Sequence, residues 1–137
     1  MLKRIISVAV CIMLMLATNG CTRKVSEAFN EKDVISGAEN TVQLINAGEF
    51  DKLSNTAVRE ELRDVLSSEA LMLGAEALLA QAGSFVEFGQ SAIVGEMDKN
   101  SGEEYAVVVL QAKYEKKSLV YTIAFDTDLW IVGLYIK

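Results

Sequence analysis

The sequence contains no histidine, and cysteine occurs only twice. Without an imidazole the chain lacks the usual general base at neutral pH, the activating base of Ser-His and Cys-His nucleophiles, and the side chain that most zinc sites use. Any catalysis would have to rely on carboxylates, tyrosines or lysines. We therefore expect no conventional catalytic residues, no metal site and no cofactor.

Basic residues are also scarce, with 13 Lys and Arg against 19 Asp and Glu and a net charge of −6. Binding to nucleic acid or to anionic lipid without sequence preference requires clustered basic side chains. The pair Lys116-Lys117 falls at a predicted turn and forms no such cluster. We expect no nucleic-acid partner.

The N-terminus has the pattern of an export signal. Lys3 and Arg4 precede an uncharged apolar run at residues 5–17, which is the order of a basic and then a hydrophobic signal region. A helix of that length spans about 20 Å, whereas a bilayer core is about 30 Å thick. Residues 1–20 are predicted to be a signal peptide that is removed.

The segment Leu-Ala-Thr-Asn-Gly-Cys at residues 16–21 resembles the lipobox of bacterial lipoproteins. The resemblance implies that Cys21 receives a diacylglycerol, with fatty acids such as palmitate. Because Cys11 lies in the signal segment, Cys21 is the only mature cysteine, and lipidation would remove an otherwise exposed thiol. Two acyl chains suffice for stable anchoring, here to the extracytoplasmic face of the cell membrane. The alternative is an ordinary signal peptide followed by a free thiol.

The mature chain, residues 21–137, has 11 basic and 19 acidic residues and thus a net charge of −8. Its 117 residues suit one domain. The polar stretch at its start predicts a lipidated tether at residues 21–32, followed by a single domain at residues 33–137.

Helical spacing dominates the first half of the domain. With Asp33 as N-cap, apolar residues 35, 38, 42 and 45 predict a first helix that stops at Gly48. A short helical piece at residues 50–53, an amphipathic helix at residues 56–66 and a helix from Ser67 or Ser68 to Gly83 follow. The last is apolar most of the way round, which predicts deep burial or a partner.

Alternating apolar residues then predict strands at residues 85–97, 104–115, 118–126 and 129–136, joined by short turns into an antiparallel meander. The inner face is predicted to carry residues 106, 108, 110, 112 and 114, then 119, 121, 123 and 125, then 130, 132, 134 and 136. The outer face is also rich in apolar residues, at positions 105, 107, 109, 120, 124, 131 and 135. A second apolar face predicts a covering partner, so we expect a homodimer through it.

Several segments resemble a lipoprotein family called domain of unknown function 3887. They are residues 34–50, which include Asn-Ala-Gly-Glu-Phe, residues 82–88, residues 104–107 and residues 121–135. The resemblance implies an α+β fold in which three N-terminal helices pack on a curved four-stranded antiparallel sheet, the cystatin-like or nuclear-transport-factor-2-like cone. Members also occur as a module ahead of α/β-hydrolase domains, which suggests an accessory or binding role.

Cone folds of this kind leave a pocket inside the sheet, where isomerase-like relatives keep an Asp base and a Tyr-based oxyanion hole. Alternation places four pocket candidates on the inner face, namely Tyr114, Tyr121, Phe125 and Trp130. The only acids for such a role are Glu87, Glu96 and Asp126. The Asp-Thr-Asp sequence at residues 126–128 has the residue types of a turn and is not surrounded by a calcium-loop spacing.

Three functions remain open. The first is a non-catalytic, membrane-anchored module that binds a small apolar ligand or a protein partner. The second is an enzyme that uses carboxylate and tyrosine, such as an isomerase. The third is a purely structural dimer of the cell envelope.

Overall fold

The computed structural model describes residues 24–137, so the predicted signal peptide and Cys21 lie outside the described residues. The fold is α+β, as predicted, with three helices ahead of a four-stranded antiparallel sheet. The helices are α1 (Glu31–Asn46), α2 (Phe50–Thr56) and α3 (Ser68–Ala82), and the strands are β1 (Phe85–Met97), β2 (Glu104–Tyr114), β3 (Ser118–Phe125) and β4 (Ile131–Ile136). Within residues 24–137 no helix combines the length and apolarity needed to cross a membrane.

Helix α1 begins earlier than predicted. Asn30, in place of Asp33, is the N-cap, because its side-chain oxygen accepts a hydrogen bond from the Asp33 backbone N–H at 3.2 Å. Asp33 instead joins Glu31 in the first turn, where negative charge is favourable to the helix dipole. The predicted stop is confirmed, since Gly48 adopts a φ of 71° just beyond the helix.

The predicted amphipathic helix at residues 56–66 is wrong. Helix α2 ends at Thr56, and Val58 forms a parallel bridge with Ile131 of β4. The backbone N–H of Arg59 donates to the Ile131 carbonyl at 3.0 Å, and the Ile131 N–H donates to the Ala57 carbonyl at 2.8 Å. The sheet edge therefore takes the hydrogen bonds that a helix would need, and only a 3₁₀ turn, Glu60–Leu62, follows.

Helix α3 has the predicted limits, with Ser67 as N-cap and Gly83 at its end. Of the two predicted alternatives, deep burial or a partner, the structure does not show deep burial within this chain, and the partner stays a prediction. The helix packs against α2 and β3 along one narrow face that buries Leu71, Ala75 and Ala82. Leu73, on another side, is 68% exposed.

The strands follow one another in the order β1-β2-β3-β4, and all neighbours are antiparallel. The inner face of β2 and β3 was correctly predicted. Its side chains are buried in the main core together with α1: Ala106, Val108, Leu110, Ala112, Tyr114, Leu119, Tyr121, Ile123 and Phe125.

The start of β4 departs from the predicted alternation. The pairing of β3 with β4 shifts register between Ala124 and Phe125, so that Phe125 pairs with Ile131. An irregularity of this kind adds a residue and exchanges the faces. Ile131 therefore enters the main core, Val132 packs on the outer face, and Trp130 precedes the strand. The inward assignment of Trp130 and Val132 was wrong, whereas Leu134 and Ile136 do pack against the main core.

The segment before α1 is part of the domain. Val25 and Phe29, both within the predicted tether, are buried in the main core. Gly95 of β1 allows this packing, since a Cβ at Gly95 would lie 2.6 Å from the Lys24 carbonyl oxygen. Val25 and Phe29 thus belong to the packed domain, although they lie ahead of the predicted domain start at residue 33.

The outer face carries a second, smaller apolar cluster of Val94, Val107, Ala124 and Val132. Beside it, Tyr135 of β4 is 44% exposed. The homodimer through this face stays a prediction.

Candidate functional site

Two of the four pocket candidates meet inside the core. Tyr121 pairs across the sheet with Leu110, whereas Tyr114 lies four residues further along β2. Ala112, a small residue, occupies the intervening position of β2 on the same face. The hydroxyl oxygens of the two tyrosines are 2.7 Å apart.

Asn46 determines the direction of the hydrogen bond between the two tyrosines. The Tyr114 hydroxyl donates to Oδ1 of Asn46 at 2.5 Å. A phenol has one proton to give, so the proton between the two tyrosines comes from Tyr121. The resulting chain runs from Tyr121 to Tyr114 to Asn46, the last residue of α1, and it fastens that end of α1 to the sheet. We call it the tyrosine chain.

Both phenols are held in the neutral form. Burial raises the pKa of Tyr121 far above its ordinary value, and the hydrogen bond with Tyr114 raises it further. Burial also raises the pKa of Tyr114, although the hydrogen bond that it accepts from Tyr121 acts in the opposite direction. Desolvation penalises the phenolate. Each proton is already committed to a neighbour within the tyrosine chain, so neither phenol is a free acid at neutral pH.

The acidic residues predicted for the site form interactions away from the tyrosine chain. Asp126 is buried, and its Oδ1 accepts hydrogen bonds from the backbone N–H groups of Asp128, at 3.0 Å, and Trp130, at 2.9 Å. This confirms that residues 126–128 form a turn. Glu87 forms an exposed ion pair with Lys113 at 3.6 Å.

The position of these acids separates them from the tyrosine chain. Asp126 follows Phe125, which pairs with Ala106 near the start of β2, while Tyr114 is the last residue of β2. Glu96 pairs with Tyr105 at the same far end. An isomerase-like site needs an acid within reach of the phenol, and the hydrogen bonds described for the two hydroxyls go only to each other and to Asn46.

The other two pocket candidates lie away from the tyrosine chain. Phe125 is buried, and its ring lies against α1 at Gly37, where a Cβ would be 3.4 Å away, an ordinary van der Waals distance. Trp130 is 39% exposed, with the Arg63 guanidinium 5.8 Å from its ring centroid. The four candidates therefore form no single pocket.

A cluster around Arg59 was not predicted. Arg59 donates to both carboxylate oxygens of Glu103 and, through Nε, to Glu61 at 2.8 Å. Its guanidinium also lies 3.6 Å from Asp126. These hydrogen bonds, to Glu103 first and then to Glu61, raise the pKa of Arg59 above its usual range.

The Arg59 cluster joins the segment after α2 to the β1–β2 and β3–β4 turns. Arg59 falls within the helix that was predicted at residues 56–66, and the local sequence carries no signal for a partner 44 residues away. In residues 24–137 no group of three acidic or sulfur side chains is arranged to hold a metal ion.

These features define a class of small α+β domains in which three helices precede an antiparallel meander. The chain belongs to the family described as "Protein of unknown function (DUF3887)", whose model matches residues 38–134. This confirms the family resemblance.

The chain is also similar to a solved structure, the NMR structure of a protein from Ruminococcus gnavus ATCC 29149. The two share 23% sequence identity and a TM-score of 0.71, over 82% of this chain and 96% of the other. At this identity the likeness establishes the fold alone. No curated protein matches the chain.

Proposed function

We propose that the protein is a lipid-anchored module on the extracytoplasmic face of the cell membrane, and that it acts by binding a partner and not by catalysis. Cys21 carries the diacylglycerol, and residues 24–137 form the binding domain. The order of basic residues, apolar run and Gly20-Cys21 supports the anchor. The observation that carries the binding role is the tyrosine chain, whose protons are already donated within the core.

The alternative of an isomerase-like enzyme is weaker for a geometric reason. Such an enzyme needs a carboxylate beside an acidic phenol. Burial disfavours ionisation of Tyr121, and Asp126 holds the β3–β4 turn through its carboxylate. Catalysis would require breaking hydrogen bonds that stabilise the fold.

Within the α+β class, we propose that the fold is the cystatin-like or nuclear-transport-factor-2-like cone. Three helices ahead of a four-stranded meander support it. The inner face of the sheet is continuous with the helices through the main core. Because the helices pack directly on the inner face, this arrangement favours a partner on the surface over a small apolar ligand inside the sheet.

The partner favoured by the sequence is a second copy of the chain on the outer sheet face. The row Ala92, Val109, Thr122 and Tyr135 crosses all four strands beside the second apolar cluster. Tyrosine is enriched at such contacts because it joins a large apolar area to a polar end. A purely structural envelope dimer would use the same surface.

The experiment is metabolic labelling with a fatty-acid analogue, followed by recovery of the protein from membranes. The wild type and Cys11→Ser should carry the label equally, because Cys11 is removed with the signal peptide. Cys21→Ser should lose both the label and the membrane fraction. Undiminished label on Cys21→Ser would refute the anchor, and a label that depends on Cys11 would place it at the wrong residue.

A further inference from the structure

We propose that the domain rests on the membrane by one particular end, with Leu129 and Trp130 inserted among the lipid headgroups. The ligand is the surface of a lipid bilayer. This inference rests on the proposed lipid at Cys21 and adds an orientation and a contact surface to it.

The N-terminal segment and two turns share this end of the domain. One row of paired residues crosses the sheet near its edge, Gly95 to Ala106, Ala106 to Phe125 and Phe125 to Ile131. The β1–β2 turn and the β3–β4 turn lie directly beyond this row. The Lys24 carbonyl lies against Gly95 at the same place. With strands about 4.8 Å apart, the row spans about 14 Å, so the whole end is close to Lys24.

The lipid anchor limits how far this end of the domain can move from the membrane. Only two residues separate Cys21 from Lys24, so even a fully extended chain gives the three steps a reach of about 11 Å. A domain of about 100 residues has a radius of gyration of about 13 Å. A lipidated Cys21 lies in the headgroup region, and the end of the domain around Lys24 must therefore stay at the membrane surface.

The same end exposes apolar side chains. Met97, the last residue of β1, is 44% exposed, while Leu129 and Trp130 in the β3–β4 turn are 38% and 39% exposed. Tryptophan is favoured at the boundary between water and lipid because one edge is apolar and the other is a hydrogen-bond donor. Tethering raises the effective concentration of the bilayer, so a few side chains suffice for contact.

The backbone conformation of Leu129 is a second, independent observation on this end of the domain. Its φ is 64°, the left-handed region, and it is the only non-glycine residue with positive φ among those the structure describes. A leucine there costs roughly 1 kcal/mol relative to glycine or asparagine. Its side chain is 38% exposed, so part of it packs against the domain and part faces outward. The outward part of an apolar side chain held in a strained turn is available for a contact outside the domain.

Acidic and basic residues are mixed at this end, and they form no basic cluster that would attract anionic lipid. Asp98, Glu103 and Asp128 lie in or beside the two turns together with Lys99, and Arg59 is paired with Glu103. Arg63 stacks on the Trp130 ring and can keep its charge at the headgroup level while the ring is inserted. The contact is thus apolar and should form on zwitterionic phosphatidylcholine.

Trp130 is the only tryptophan in the chain, so its fluorescence reports on this site alone. The lipidated full-length product is purified and reconstituted in phosphatidylcholine vesicles, with and without brominated acyl chains. We expect a blue shift of the emission and loss of most of its intensity in brominated vesicles. Cys21→Ser, mixed with the same vesicles, should show neither change.

Two Leu→Asn variants form a matched pair. Leu129→Asn removes the apolar side chain and suits the left-handed backbone, so it should fold at least as stably and lose much of the quenching. Leu73→Asn changes a more exposed leucine on α3 and should leave the quenching unchanged.

The outcomes separate the two proposals. If mass spectrometry shows the lipid on Cys21 but Trp130 is not quenched, this orientation is overturned and the anchor stands. If the purified chain carries no lipid, the anchor and the orientation both fail. A blue shift that grows with protein density, without quenching by bromine, assigns this end to a second copy and overturns the membrane contact.

Discussion

The Tyr121 hydroxyl donates to the Tyr114 hydroxyl at 2.7 Å, and Tyr114 in turn donates to Asn46 at 2.5 Å. These bonds connect the middle of β3, the end of β2 and the end of α1. Asn46 accepts the last proton, so every donor in the chain has a partner. The two phenols therefore serve the stability of the domain, and their removal should have unequal effects.

Tyr114→Phe should destabilise more than Tyr121→Phe. The first substitution leaves the buried Tyr121 hydroxyl without its acceptor, at a cost of about 2–3 kcal/mol, whereas the second removes one bond, at about 1 kcal/mol. Urea unfolding of the two variants measures the free energies.

The double variant Tyr114→Phe/Tyr121→Phe supplies the control. Because it leaves no buried hydroxyl, it should be less destabilised than the sum of the single variants. Additive effects, or a larger loss for Tyr121→Phe, would contradict the direction assigned to the hydrogen bonds.

Alkaline pH should destabilise the domain through the same residues. The folded-state pKa of Tyr121 lies well above the ordinary tyrosine value of 10.0. The unfolded chain then ionises first, so the stabilisation is complete below about pH 10 and is lost as the pH rises beyond it.

Urea midpoints at pH 8 and pH 11 measure this loss. Tyr121→Phe should show a smaller drop between the two pH values than the wild type, while Tyr135→Phe, on the exposed outer face, should behave like the wild type. An identical drop in Tyr121→Phe and wild type would be the contrary result.

The carboxylate of Asp126 should be structural. Asp126→Ala leaves two backbone N–H groups of the β3–β4 turn without their acceptor, and should cost about 1–3 kcal/mol. Asp126→Asn keeps an oxygen in place and should cost less. Asp128→Ala, which removes an exposed neighbour, should change stability by no more than about 0.5 kcal/mol. Thermal unfolding compares the three, and a neutral Asp126→Ala would contradict the turn as described.

Substitution by alanine should change the stability of the domain in opposite directions at Gly95 and Gly74. A Cβ at Gly95 would meet the Lys24 carbonyl at 2.6 Å, whereas Gly74 in α3 has open space around it. Gly95→Ala should destabilise by about 1–3 kcal/mol. Gly74→Ala should stabilise by up to about 1 kcal/mol through helix propensity.

Limited trypsin digestion measures how Gly95→Ala affects the packing of the N-terminal segment, because Lys24 is a cleavage site. Gly95→Ala should be cut there faster than the wild type and Gly74→Ala should not. Equal cleavage of all three chains would show that the packing of Lys24 on Gly95 is unimportant.

The proposed dimer gives a further prediction. Tyr135→Glu places a charge on the outer face and should convert dimer to monomer in light scattering at micromolar concentration. Val86→Glu, at an exposed position of β1, should leave the mass unchanged. A wild type that is monomeric at this concentration would exclude the outer-face dimer.

The element order and the inner face of the sheet could be predicted because each depends on local periodicity. The apolar face of α1, the stop at Gly48 and the alternation in β2 and β3 follow from neighbouring residues alone. A short helix was predicted at residues 50–53, and α2 begins there but runs on to Thr56. The segment at residues 57–59 could not be predicted in this way. The residues after Thr56 have helical spacing, but the pairing of Val58 with Ile131, 73 positions away, takes their backbone hydrogen bonds.

The candidate site was predicted in part. Alternation placed Tyr114 and Tyr121 on one face, but their contact with Asn46 depends on how far α1 extends over the sheet. Trp130 was misplaced because the register shift at Phe125 has no local signal. Arg59 was overlooked for a similar reason, since two of its three acidic partners, Glu103 and Asp126, come from distant turns.

The most direct test of the lipid anchor at Cys21 is the intact mass of the protein purified from the membranes of a bacterial host. A mass equal to residues 21–137 plus a diacylglycerol on the N-terminal cysteine is the predicted result. The mass of a chain cleaved elsewhere without lipid, or of the whole uncleaved sequence, would contradict it.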